Sequence, residues 1–202
     1  MRLSPFIRVS IGVLGGSFNP PHHGHVAISL LARKKLQLNQ IVWMVSPQNP
    51  LKSPVGMAPF AARHRACQQI TRNLPIMVSN LEQQWQSFYS IDTLQRLKKR
   101  FPRIRWVFMM GSDNFGQLHR WRRYQNLMRQ VPLAVFGRPC YNQSVKLSRV
   151  GHRYRRNRVV TPSAIRHRRA LPSWTFVSES WYHISASAIR HRLAGRPWHE
   201  VA

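Results

Sequence analysis

The sequence predicts an α/β protein: a Rossmann-like, doubly wound parallel sheet with helices on both faces, folded as a single domain. Three observations favour this class. Short apolar runs alternate with stretches of helical spacing along the chain. Glycines and polar residues follow the apolar runs, at the strand ends where ligands of such sheets bind. The chain has 202 residues and is 43% apolar, which suffices for one compact core over residues 1–202.

The first half of the chain reads as three strands, each followed by a helix. The run RVSIGVL at 8–14 predicts a strand that stops at Gly15, and HVAISLLARKKL predicts a helix from His25. A second strand at 40–46 precedes a proline-rich loop and a helix at 59–71. A third strand at 76–79 leads through a loop to the helix SIDTLQRLKKRF.

The second half continues the alternation and then loses it. IRWVFMM predicts the fourth strand, HRWRRYQNLMRQ a helix at 119–130, and LAVFG the fifth strand. Weak periodicity and many basic residues indicate a loop-rich basic insertion at about 140–173 with a short helix. WTFVSES predicts a further strand, and a serine-capped terminal helix follows at about 185–194.

The composition of the chain limits the cellular compartment and the binding partners that we expect for the protein. Cys67 and Cys140 match neither a disulfide framework nor a zinc spacing, and no apolar run has the length of a signal peptide core or a membrane span. We therefore expect a cytoplasmic protein without a membrane contact. The formal charge of +27 predicts nonspecific attraction to RNA and other polyanions, unless it reflects only an arginine-rich compositional bias. A homo-oligomer is compatible with the sequence.

The loop from Gly15 to His25, GGSFNPPHHGH, has the features of a phosphate site. Paired glycines after a strand let the backbone approach a nucleotide, and the following helix offers unpaired N–H groups to phosphates. Imidazoles of His22 and His25 at the helix start are suited to donate hydrogen bonds to phosphoryl oxygens. The alternative is that the two histidines only cap the helix or bind a metal adventitiously.

A second phosphate-binding pattern lies near the other end of the chain. Ser185 and Ser187 place hydroxyls in the first turn of the terminal helix, and Arg190 follows one turn later. Serine capping explains Ser185 equally well when the segment is taken alone. The pattern becomes informative when it is paired with the HxGH loop at the other end of the chain.

The two motifs together resemble the HxGH nucleotidyltransferase superfamily, and the motifs between them resemble the bacterial nicotinate-nucleotide adenylyltransferase family. The family patterns GG(T/S)F(D/N)PxHxGH and PxNPxK match GGSFNPPHHGH and Pro47–Lys52. YTxDTL and GADNLxxxHxWxxW resemble YSIDTL and GSDNFGQLHRWRRY, and RPG and SSTxIR resemble RPC and SASAIR. The match runs in order from Gly15 to Arg190.

The resemblance implies transfer of AMP from ATP to nicotinate mononucleotide, giving nicotinate adenine dinucleotide and pyrophosphate. It implies catalytic roles for His22, His25, Arg190 and Lys52, and Mg²⁺ held by the phosphates, with no dedicated metal ligands. The residues that it implies for ATP binding are Gly15, Gly16, Ser17, Phe18, Gly111, Asp113, Ser185 and Ser187. Those implied for mononucleotide binding are Asn49, Ser90, Trp121 and Arg138.

Alternatives remain open at this point. Trp121 is expected to stack on the pyridine ring, but it is also explained as an aromatic that covers a helix. Ser90, Ala186, Tyr124 and Cys140 replace the family's threonine, serine, tryptophan and glycine, which bears on rate and affinity more than on reaction class. Rival functions are a related transferase with another acceptor, such as nicotinamide mononucleotide or phosphopantetheine, or with a cytidylyl donor, and an RNA-binding protein on this fold.

Overall fold

The computed structural model describes residues 9–48, 55–137, 145, 147–167, 170–178, 186–193 and 198–199. The strands are β1 (Ser10–Gly16), β2 (Gln40–Val45), β3 (Ile76–Ser79), β4 (Arg105–Gly111), β5 (Leu133–Phe136) and β6 (Trp174–Val177). The helices of the first half are α1 (His23–Lys35), α2 (Phe60–Ile70), α3 (Leu81–Gln84) and α4 (Ser90–Arg100). Those of the second half are α5 (Ser112–Gln117), α6 (Tyr124–Gln130), α7 (Arg149–Arg153) and α8 (Ala186–Arg192), with 3-10 turns at Leu118–Arg120, Arg155–Asn157 and Pro162–His167.

The six strands form one parallel sheet in the order β3-β2-β1-β4-β5-β6. The order reverses between β1 and β4, so the connections on the two sides of β1 run over opposite faces. In open α/β sheets, ligands bind at such a switch point, beyond the carboxyl ends of the strands. β1 and β4 end there at Gly16 and Gly111. The predicted fold class is confirmed.

Alternate strand residues face two separate cores, which is why the strands read as continuous apolar runs. Along β4, Phe108 and Met110 join a core with residues of α4, α5 and α6. Val107 and Met109 join the opposite core, which α1 and α2 cover. Both faces of the sheet are therefore buried under helices. No helix in the described part of the chain is long and apolar enough to cross a membrane.

The structure corrects several predicted boundaries. β1 does not stop before Gly15: it pairs with β2 as far as Gly16, opposite Val45. The single helix predicted at 119–130 is wrong, because Arg123 has a φ of 50° in the left-handed region and separates a 3-10 turn from α6. The short helices α3 and α5 were not predicted. Within 140–173, the predicted short helix is present as α7, and Val150 and Ile165 of this segment are buried in the cores.

Candidate functional site

A buried arginine holds the loop after β1 in place. Ser17 and Phe18 leave the sheet, and Phe18 has a φ of 48°, a conformation that costs a non-glycine residue about 1–2 kcal/mol. Its ring stacks on Trp43 of β2, with centroids 4.7 Å apart. Arg63 of α2 is 1% exposed and donates to the carbonyl oxygen of Ser17 at 2.6 Å. The same guanidinium donates to the carbonyl of Ser46 at 2.7 Å, so it joins the ends of β1 and β2.

The two predicted histidines lie together at the start of α1. His22 is the N-cap residue, and its ring centroid is 3.8 Å from that of His25. The backbone N–H of His22 donates to Nδ1 of His25 at 3.2 Å. Because a backbone N–H is always the donor, Nδ1 of neutral His25 is the acceptor and its proton is on Nε2. The capping alternative therefore holds for Nδ1 of His25, and the proton of this tautomer is on Nε2.

Helix α8 packs against this loop from the other end of the chain. Arg190 donates one hydrogen bond to the carbonyl of Asn19 and another to Oγ of Ser187, the latter at 3.2 Å. The indole of Trp198 donates to Oδ1 of Asn19 at 2.7 Å. Asn19 in turn donates to the carbonyl of Gly56 at 2.8 Å, so it connects three segments that are distant in sequence.

A cavity of about 520 Å³ lies between the loop after β1, the start of α1 and α8. It brings together ten residues predicted for ATP binding or catalysis. They are Gly15, Gly16, Ser17, Phe18, His22, His25, Gly111, Asp113, Ser187 and, closing it from α8, Arg190. Ser17 Oγ is buried and has no hydrogen-bond partner among the residues that the structure describes. Such a hydroxyl is suited to a ligand oxygen.

A second cavity, of about 450 Å³, adjoins the first on the side of α4. Ser90 and Trp121, both predicted for the mononucleotide, line it together with Tyr89 and two arginines, Arg120 and Arg122. Trp121 meets Phe108 edge to face, with centroids 6.3 Å apart. The helix that Trp121 was expected to cover is not formed as predicted, since Trp121 follows the 3-10 turn in an extended conformation, and its stacking on a ligand stays a prediction.

The two cavities share a wall. The residues that line both are Gly15, Gly16, Ser17, Asn114 and Trp121. Two ligands that filled the cavities would therefore meet over the backbone at the end of β1. This arrangement suits a reaction that joins two bound molecules, because it converts a bimolecular step into one within a complex.

The acceptor-side cavity also contains a carboxyl group that the sequence did not assign. Glu82 of α3 lines it and is 6% exposed. Burial raises the pKa of Glu82 to about 7, although hydrogen bonds from the side chains of Thr93 and Ser46 work in the opposite direction. The sequence did contain a signal for Glu82, because acidic residues are scarce in this chain, which has only five.

Four residues that the sequence predicted for the site lie outside the described part of the chain: Lys52, Asn49, Arg138 and Ser185. Two residues that support the site were not predicted from the sequence, Arg63 and Asn19. Arg63 could not be distinguished by sequence among 32 basic residues, whereas Asn19 lies within the glycine motif itself.

Comparisons with known proteins agree with this geometry. The Cytidylyltransferase-like family model matches residues 13–192. A protein of Cereibacter sphaeroides named "probable nicotinate-nucleotide adenylyltransferase" is 39% identical over 180 residues, 89% of this chain and 96% of that protein. A Bradyrhizobium protein of the same name is 39% identical over 182 residues, 90% of this chain and 95% of that protein.

A solved structure shows the same fold at low sequence identity. The nicotinic acid mononucleotide adenylyltransferase of Plasmodium falciparum, complexed with NaAD, superposes with a TM-score of 0.66 at 18% identity. The match covers 91% of this chain and 83% of that one. Motifs, cavities and relatives agree, and the chain belongs to the nicotinate-nucleotide adenylyltransferase family.

Proposed function

We propose that the protein transfers the AMP part of ATP to the phosphate of nicotinate mononucleotide, a step of NAD biosynthesis, and releases pyrophosphate. The observation that carries this proposal is the pair of cavities with a common wall at Gly15–Ser17. One cavity has the donors that a triphosphate requires, and the other has aromatic and cationic groups for a mononucleotide. Relatives that share about 39% of the sequence carry the name of this activity.

ATP occupies the cavity beside α1 in this proposal. Nε2–H of His25 and the hydroxyl of Ser17 donate to phosphate oxygens, and the start of α1 adds its positive dipole end. Ser187 and Arg190 of α8 contact the phosphates from the opposite side. Asp113, in the first turn of α5, accepts from a ribose hydroxyl. Lys52 and Ser185 stay predicted members of this group.

The reaction is an in-line displacement without a protein nucleophile. An oxygen of the mononucleotide phosphate forms a bond to the α-phosphorus of ATP as the bond to the β-phosphate oxygen breaks, and pyrophosphate leaves with the electron pair. Negative charge accumulates on the phosphoryl oxygens, where the imidazole and guanidinium donors act. The protein contributes position and charge stabilisation.

Mg²⁺ is proposed as the companion of ATP. The donor set of the cavity fits a metal held chiefly by phosphates, since Asp113 is the one carboxyl group among the described residues that line it. The described residues contain no group of three or more histidines, cysteines or acids placed to bind a metal. Mg²⁺ bound in this way neutralises phosphate charge and usually keeps several waters.

The acceptor occupies the cavity beside α4. Trp121 stacks on the pyridine ring, and Ser90, the first residue of α4, offers its hydroxyl and a helix-start N–H to the ring carboxylate. Arg120 and Arg122 give this cavity the positive charge that a dianionic phosphate and a carboxylate require. Asn49 and Arg138 stay predictions for the same ligand.

Acceptor preference tests the proposal directly. Purified protein with ATP and Mg²⁺ is supplied with nicotinate or nicotinamide mononucleotide, and pyrophosphate release and dinucleotide formation are measured. We expect kcat/KM to favour the nicotinate form. An equal or reversed preference refutes the substrate, and no pyrophosphate with either acceptor refutes the reaction.

A matched histidine pair tests the phosphate donors. His25→Ala is expected to lower kcat by roughly 100-fold, the usual cost of one transition-state hydrogen-bond donor. His23→Ala is the control, because His23 is an exposed residue of the same helical turn. Thermal unfolding of both variants separates loss of the cap from loss of catalysis. Equal rates for the two variants contradict the role of His25.

The attraction to polyanions stays a separate prediction. Arg153, Arg155 and Arg156 are exposed in and after α7, and they are not among the residues that line the two cavities. We expect weak RNA binding that falls steeply with salt and does not need His25. Because the reaction consumes ATP, the cytoplasm is the proposed compartment. If charge reversal at these arginines abolished the biological role while His22→Ala and His25→Ala left it intact, the RNA-binding alternative would replace the enzyme.

A further inference from the structure

The acceptor cavity has a buried carboxyl group in a protein with very few acids. Glu82 lies on α3, which packs beside β2, and it is one of five acidic residues in the chain. Its Oε1 accepts a hydrogen bond from Oγ1 of Thr93 at 2.9 Å, and the side chain of Ser46 provides another. Ser87 contacts the same Thr93 hydroxyl at 2.9 Å. The carboxyl group is therefore held in one position in the cavity wall.

The hydrogen bonds connect Glu82 to the part of the cavity assigned to the pyridine substituent. Thr93 follows Ser90 by three residues in α4, so the two lie one helical turn apart on the same side of the helix. Ser90 and Glu82 both line the cavity. The charge of Glu82 therefore acts on whatever substituent the acceptor ring presents to Ser90.

Other titratable groups lie on the elements around Glu82. The strand β2 carries no titratable side chain. The described ones near Glu82 are Asp92 and Arg96 on α4, Tyr89 before it, Arg120 and Arg122 across the cavity, and Arg63 beneath Ser46. Glu82 is the group among them whose pKa burial raises to about 7.

We propose that Glu82 is a specificity-determining residue whose protonation state sets the preference of the acceptor cavity between an anionic and a neutral pyridine mononucleotide. The proposal rests on the proposed function. When the carboxyl group of Glu82 is neutral, the cavity takes a ring carboxylate without like-charge repulsion. When it is ionised, a carboxylate on the ring meets a second one in a buried place, where repulsion is poorly screened.

The titration falls in a range where it can be observed. Burial raises the pKa of Glu82 from 4.5 to about 7. Below this value the group is neutral and favours the nicotinate form, and above it the group is ionised and disfavours that form. Binding of the nicotinate form stabilises the neutral carboxyl group further, so the complex takes up a proton where free Glu82 is ionised.

The experiment measures the ratio of kcat/KM for nicotinate and nicotinamide mononucleotide between about pH 6 and about pH 8.5. The two acceptors share the reacting phosphate, ATP, Mg²⁺ and the histidines, so the titration of these groups cancels in the ratio. We expect the ratio to fall roughly tenfold as pH rises through about 7, the size of effect that one like charge in a partly screened site produces.

Three variants identify the group responsible. Glu82→Gln keeps the shape and removes the charge, so the ratio is expected to stay at its low-pH value throughout. Thr93→Val removes a hydrogen bond that favours the ionised form, so the midpoint moves to higher pH. Asp92→Asn removes a neighbouring carboxyl group that does not line the cavity, and it is expected to keep the wild-type pH dependence of the ratio.

The outcomes separate this proposal from the proposed function. A ratio that does not vary with pH in the wild-type protein overturns the role of Glu82 and leaves the nicotinate activity in place. A slope that persists in Glu82→Gln also overturns it. If neither mononucleotide is adenylylated, the proposed function itself fails. The wild-type profile needs no variant, so it decides the question even where Glu82→Gln folds poorly.

Discussion

Replacing Arg63 by methionine should remove much of the stability of the fold and disturb the ATP loop. The guanidinium makes four hydrogen bonds to carbonyl oxygens, from Nε to Ala58 at 2.9 Å and from its terminal nitrogens to Ser17, Ser46 and Pro47 at 2.6, 2.7 and 2.9 Å. Burial lowers the pKa of Arg63, yet from so high a value that it stays protonated. Methionine fills a similar volume and donates nothing.

The magnitude follows from these bonds. At about 1–1.5 kcal/mol for each of four hydrogen bonds, the loss is about 4–6 kcal/mol, and burial of the methionine side chain returns about 1 kcal/mol. A net loss of about 4 kcal/mol is a large part of the 5–15 kcal/mol that holds a typical domain. Arg63→Lys keeps the positive charge but not the planar set of N–H donors, so we expect the free energy of unfolding to fall by about half as much.

Urea unfolding measures the change, with Arg65→Met as the matched control. Arg65 lies on the same helix and is exposed, so its replacement should alter the free energy of unfolding by less than about 0.5 kcal/mol. The KM for ATP should rise in Arg63→Lys, because the carbonyl of Ser17 loses part of its support. A value for Arg63→Met within about 1 kcal/mol of the control would refute this account of the loop.

Three further results are expected. Gly12→Ala should lower the free energy of unfolding by about 1–3 kcal/mol in urea, because its Cβ would lie 2.6 Å from Sδ of Met109. Gly15→Ala should leave this free energy nearly unchanged, and equal effects of the two replacements would contradict the explanation. The free energy of unfolding should fall by about 3 kcal/mol as pH rises from 4.5 to about 7, because Glu82 loses its proton at lower pH in the unfolded than in the folded protein. Glu82→Gln should lack this pH dependence, and a dependence retained in that variant would point to other groups. Burial raises the pKa of the Cys67 thiol to about 12, so alkylation of Cys67 at pH 8 should be about a thousandfold slower in the folded than in the unfolded protein. Mass spectrometry of the peptide that contains Cys67 measures the two rates, and similar rates would show that the thiol is accessible in the folded protein.

The sequence predicted the sheet well because the strands are buried on both faces and therefore stand out as apolar runs. The limits of β3, Ile76–Ser79, were predicted as observed. Prediction failed between β4 and β5, because helical spacing in HRWRRY does not reveal that Arg123 leaves the helical conformation. That break depends on tertiary packing, which brings Trp121 to the cavity wall instead of a helix face.

The site was predicted where a local motif carries the chemistry, and it was missed where support comes from afar. The glycines and histidines of the first loop lie within 11 residues of each other, and the structure brings them into one cavity. Arg63 supports Ser17 from 46 residues away, and Thr93 reaches Glu82 from 11 residues away in another helix. Neither contact follows from spacing, because each depends on which strand ends become neighbours.

The two glycines of β1 differ in the reason for their small size, and the difference bears on function. At Gly12 a Cβ would meet three side-chain atoms closer than 3.0 Å, from Met109, Leu38 and Ile41, so the core itself requires glycine there. At Gly15 the nearest atom would be a ring carbon of Phe108 at 3.6 Å, an ordinary contact, so the fold would accept alanine. Gly15 lies in the wall common to both cavities. A side chain there would project toward the space where the α-phosphate and the acceptor phosphate must meet, so the bound substrates, and not the core, account for glycine at this position.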